Sequence, residues 1–144
     1  MSEVTRSARR STAAPGRPLA IAAGITMFFI ALQFVLAGYG IFERQYHKAD
    51  DGWFEPHQAV GYITILSIIA VLVVALVTRQ GRNVVVRAVV LVVLGLLQPL
   101  LAGLGTDTSP WYGVVHAAFA VAIAAIDGTL IGEGARGARA PAQP

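Results

Sequence analysis

The sequence predicts an all-α protein, a four-helix transmembrane bundle made of two similar helical hairpins. Three observations carry that prediction. Only 13% of the 144 residues are charged while 56% are hydrophobic; a soluble domain has about a quarter charged. The charges fall between four apolar runs, at about 19–42, 56–78, 84–104 and 111–131. A glutamine-and-glycine motif in the first run recurs in the third.

Each run is near the ~20 residues that a helix rising ~1.5 Å per residue needs to cross ~30 Å of hydrocarbon. Backbone in lipid must satisfy its own hydrogen bonds, which leaves helices or closed barrels. Barrel strands alternate in polarity and these runs do not. A basic segment ahead of an apolar run could also be a cleaved signal peptide. The first run is longer than a usual signal core and no clear small-x-small cleavage site closes it, so it reads as a span.

The connections follow in order. Residues 1–18 and 132–144 lack apolar periodicity and are expected to be disordered cytoplasmic segments. The connection between the first two runs is the longest, about Glu43 to Glu55, and Pro56 suits the first turn of the second helix. RQGRN at 79–83 is short and predicts a tight hairpin. Ser109 is a good N-cap and Pro110 a good first residue for the fourth helix. Tyr46, Trp53, Trp111 and Tyr112 gather near one boundary as an aromatic belt.

Nine of the eleven basic residues (Arg6, Arg9, Arg10, Arg17, Arg79, Arg82, Arg87, Arg136 and Arg139) lie on one side of this arrangement. Arg44 and Lys48 lie on the other, among Glu43, Asp50, Asp51, Glu55 and Asp107. That bias places both termini in the cytoplasm of a bacterial inner membrane. The net charge of +3 is therefore topological, and no nucleic-acid partner is implied. The absence of cysteine excludes disulfides, thiolate metal sites, iron–sulfur clusters and covalent haem attachment.

The recurring motif is QFVLAGYG at 33–40 and QPLLAGLG at 98–105, identical at five of eight positions. A histidine follows each copy near the start of the next helix, His57 and His116. Polar residues within spans usually face a bundle interior, and Gln33, Gln98, His57, His116 and Thr64 converge on one level. Gly61 lies one turn beyond His57 and Ala120 one turn beyond His116, small residues that leave room for a flat macrocycle. Histidines on helices two and four could ligate a metal from opposite sides. Arg44, Tyr46 and Lys48 would then be placed for haem propionates. The bland alternative is a solvated His57 and a His116 that packs against a glutamine, and helix starts alone put the two at different depths.

Asp127 lies on the His116 face, three turns on. A buried ion pair with Arg87, locking helix four to the middle hairpin, is its expected role, ahead of a proton path. Pro99 removes one helical hydrogen bond and is expected to kink helix three near Gly95. The LAG-x-G patches are expected to give close helix contacts.

Gln-x-x-Leu-Ala-Gly in helices one and three, with histidines opening helices two and four, resembles one four-helix half of haem A synthase. The resemblance covers about residues 20–131. It implies a b-type haem near the outer face, with His57 and His116 as axial ligands and Gln33 and Gln98 behind them. That family has two such halves and a second histidine pair, so its enzyme activity is not implied for one half alone. The pattern QxxLAGxG, H-x-x-x-G and Q-P-x-L-x-x-L-G is similar also to small uncharacterised four-helix membrane proteins of high-GC bacteria.

The expected function is thus non-covalent haem b binding for electron transfer or haem handling, as a homodimer or within a larger membrane complex. The alternative is a structural or accessory subunit without a cofactor; one intramembrane acid is thin support for a transporter.

Overall fold

The computed structural model describes residues 16–47 and 51–139. It contains four helices, α1 (Gly16–His47), α2 (Glu55–Val77), α3 (Arg82–Asp107) and α4 (Pro110–Arg139), with one 3-10 turn over Asp51–Phe54 ahead of α2. All four are long and apolar enough to cross a membrane. Their outward faces are apolar as well: Phe28, Val35 and Leu66 are each about two-thirds exposed. Helices that are apolar all round suit a bilayer, not water.

Each helix packs on two others: α1 on α2 and α4, and α3 on α2 and α4. That leaves α1 facing α3, and α2 facing α4, across the diagonals of a square bundle. The buried positions recur at gaps of three and four: Leu19, Ala23, Thr26 and Ile30 in α1, and Thr64, Ile68, Val71 and Ala75 in α2. Val84, Ala88, Leu91 and Gly95 in α3, and Ile123, Asp127, Leu130 and Gly134 in α4, repeat it. A 3–4 repeat keeps one seam per helix turned inward and is the signature of knobs-into-holes packing.

The helix ends refine the expected boundaries. The segment from 132 is helical to Arg139, which corrects the expectation of a disordered tail there. Glycine is a poor helix former in isolation, but tertiary contact outweighs that here. A Cβ on Gly134 would stand 2.8 Å from Ala20 Cα, and one on Gly16 would collide with the carbonyl of Gly134. Glycine thus lets the α1 and α4 backbones touch at the end of the bundle that carries the chain termini. Residues 16–18 likewise belong to α1; the rest of the expected leading arm, and residues 140–144, lie outside the described residues.

The α2–α3 connection is the expected tight hairpin. Gln80 N–H donates to Ala75 O and Arg79 N–H to Leu76 O, with Arg79 at φ 52°. This is a Schellman closure with arginine in the left-handed position usually given to glycine. At the start of α4, Trp111 N–H reaches Ser109 Oγ at 3.4 Å and Pro110 is the first helical residue, as expected. Of the repeated glycines, Gly105 lies against the Gly113 backbone, whereas a Cβ on Gly38 or Gly103 would meet nothing. Among the motif glycines, Gly105 therefore makes a close contact and Gly40 is buried, whereas the LAG glycines Gly38 and Gly103 face open space.

Candidate functional site

The buried seam ends at Ile30, Thr64, Gly95 and Ile123. One and two steps further along the 3–4 repeat stand Gln33 and Ala37, Gly61 and His57, Gln98 and Ala102, and Ala120 and His116. Leu, Ile and Val give way to small or polar residues at the same level in all four helices. The bundle cannot fill its axis there, and a cavity of about 430 Å³ opens, lined by all eight of these residues. Volumes of ~300–1,000 Å³ with few polar groups are usual for sites that hold a drug-sized ligand or cofactor.

Two Gln–His pairs organise the cavity. Gln33 Nε2 donates to His57 O at 2.9 Å, and His57 Nδ1 lies 3.1 Å from Gln33 O. Gln98 Nε2 donates to His116 O at 3.3 Å, and His116 Nδ1 lies 3.1 Å from Gln98 O. Each pair ties a helix to its successor by the same two bonds, side chain to backbone in both directions. A carbonyl only accepts, so each Nδ1 carries the proton and donates. In the neutral ring, Nε2 is then the nitrogen with a free lone pair, the arrangement second-shell carbonyls give to metal-ligating histidines.

The imidazoles face one another across the α2–α4 diagonal, with ring centres 6.4 Å apart and planes at 64°. The sequence-based concern about unequal depth is thereby answered. His57 is the third residue of α2 and His116 the seventh of α4, but the glutamine clamps, not the helix starts, set their level. Phe54, in the 3-10 turn, meets His57 edge-on at 6.5 Å.

The other candidates divide. Gly61 and Ala120 line the cavity as expected. A Cβ on Gly61 would meet only the Gln33 amide, at 3.6 Å, so the space beside it belongs to the cavity. Thr64 donates to Val60 O one turn back and is satisfied within its own helix. Gln98 Oε1 is buried and has no hydrogen-bond partner among the described residues, so it is an uncompensated acceptor in the wall of the bundle. Arg44 and Tyr46 are exposed near the end of α1, while Lys48 lies outside the described residues.

The expected Asp127–Arg87 ion pair is not formed. Arg87 Nη1 pairs with Glu133 Oε1 at 3.1 Å, and Arg136 Nη2 reaches the same oxygen at 3.1 Å. Asp127 is fully buried and both carboxyl oxygens lack a hydrogen-bond partner among the described residues. The reason is register. Arg87 reaches Glu133, and Asp127 lies six residues deeper along α4. Six residues at ~1.5 Å each put Asp127 about 9 Å further along the axis, and a guanidinium would have to enter the apolar core to reach it. Glu133, which sequence reasoning passed over, sits level with Arg87; its signal was the i,i+3 spacing to Arg136.

Residues 33–107, just over half of the chain, match the model of a family of unknown function, DUF6220. No curated protein and no solved structure matches the chain.

Proposed function

We propose that this chain, which belongs to the DUF6220 family, holds one non-covalent b-type haem between His57 and His116. The observation that carries the reading is the facing imidazole pair. A metal–imidazole bond is about 2 Å, and the ring centre lies about 1 Å beyond the nitrogen. Two rings on opposite sides of one metal therefore have centres about 6 Å apart, against the 6.4 Å found. The protonated Nδ1 of each ring leaves Nε2 for the metal, and Gly61 and Ala120 keep side chains out of the plane between them.

Held by both His57 and His116, such a group would keep no open position for a small ligand, so electron transfer fits better than oxygen chemistry. The protein's part is to fix the two rings through Gln33 and Gln98 and to surround the site with apolar side chains. We read the two hairpins as copies of one Gln–His unit, which the matched hydrogen bonds support. The arginine bias supports cytoplasmic termini, which would put the site toward the outer leaflet.

The test is haem titration of the detergent-purified protein, followed by absorption in the oxidised and dithionite-reduced states. A sharp Soret band with resolved reduced α and β bands is expected, lost or turned high-spin by His57→Ala or His116→Ala. Gly61→Phe should block binding with both histidines in place and the helix content unchanged. A spectrum that survives both histidine substitutions overturns the ligand assignment. A protein that takes up no haem supports the accessory-subunit reading, in which the Gln–His pairs only pin adjacent helices together.

A further inference from the structure

We propose that the end of the bundle carrying the termini holds the phosphate of an anionic phospholipid, in a pocket where the α2–α3 turn meets α4. A cavity of about 460 Å³ lies there, separate from the histidine cavity, and it gathers Arg82, Arg87 and Arg136 around one carboxylate, Glu133. Arg87 and Arg136 share a single oxygen of that carboxylate. Arg82 has no partner among the described residues, so the pocket keeps a surplus of two positive charges.

Helix α3 starts in the same place and is left without the usual compensation. Its N-cap is Gly81, which contributes no side-chain cap, and its first turn contains no acidic residue. The first helical bonds run from Val84 and Val85 N–H to Gly81 O. The amides of Arg82 and Asn83 therefore have no intrahelical acceptor. Uncapped amides, the positive end of the helix dipole and three guanidiniums all favour a phosphate.

The surroundings select a lipid over a soluble phosphate. Leu76 and Val77 at the end of α2, and Val86 in the first turns of α3, are at least half exposed. They are apolar surface at the same end of the bundle as the pocket, along which acyl chains would lie while the headgroup stays among the arginines. Basic pockets between spans hold anionic headgroups for this reason.

Thermal unfolding of the full chain in detergent, titrated with phosphatidylglycerol, phosphatidylcholine of the same chains, or glycerol phosphate, tests the proposal. Phosphatidylglycerol should raise the midpoint saturably, and the other two should not over the same range. Arg82→Gln should weaken the apparent affinity about tenfold, as expected for one charge-assisted contact. Arg79→Gln removes the same charge outside the pocket and should leave the affinity unchanged. Asn83→Asp should stabilise the lipid-free protein by complementing the dipole and yet weaken lipid binding, which no folding defect would mimic. Equal losses from Arg79→Gln and Arg82→Gln would reduce the effect to diffuse charge and overturn the site. An equal response to phosphatidylcholine, or to glycerol phosphate, would overturn the anionic lipid as its occupant.

Discussion

Substituting leucine for each of the two glutamines should give unequal results, although their positions in the motif and their bonds correspond. Gln33→Leu removes a 2.9 Å bond to His57 O and should cost about 1 kcal/mol, the net worth of a neutral hydrogen bond. Gln98→Leu removes a weaker 3.3 Å bond to His116 O. It also removes Oε1, a buried acceptor without a partner, and an unsatisfied group of that kind costs about 1–3 kcal/mol. The contacts from each histidine Nδ1 go to the glutamine backbone, so both substitutions leave them in place. Without added haem, Gln98→Leu should therefore be neutral or stabilising, and the two variants should differ by about 2 kcal/mol. Reversible unfolding in mixed micelles of increasing SDS content, followed by circular dichroism, measures the difference. Equal losses in the two variants would refute the assignment of Gln98 Oε1 as an orphan and leave the pairs energetically alike.

Two further outcomes test the packing. Gly134→Leu should force α1 and α4 apart, because its Cβ would meet the Ala20 backbone at under 3 Å; a loss of about 3 kcal/mol is expected, at the upper end for overpacking, and full stability in the same micelle assay would refute the crossing. Double-mutant cycles should show coupling between Arg87 and Glu133 and none between Arg87 and Asp127. Coupling in the Asp127 cycle would restore the ion pair corrected above.

The bundle was legible because hydropathy and helix length are local quantities. Four apolar runs of membrane-crossing length need no knowledge of their neighbours to be read as helices. The boundaries erred where a neighbour intervened: the glycine-rich stretch after residue 131 is helical because Gly134 meets Ala20 across the α1–α4 contact. Propensity alone argues the other way.

The candidate site was half legible. The residue types could be picked out by sequence alone, since glutamine and histidine inside apolar spans are costly and point inward. Nothing local says that each histidine ring binds the backbone of the preceding helix while the glutamine returns the bond. Nor does sequence give the common depth of His57 and His116, which depends on how far each hairpin slides. Asp127 makes the same case from the opposite side. An acid and a basic residue near one end of two helices invite pairing, but the 3–4 seam turns Asp127 into the core and leaves Arg87 beside it, level with Glu133. By itself the sequence determined which segments cross the membrane and which residues are too polar to lie there idle. Only the tertiary structure decided which of those residues meet, because register and facing are properties of two helices together and hydropathy is a property of one.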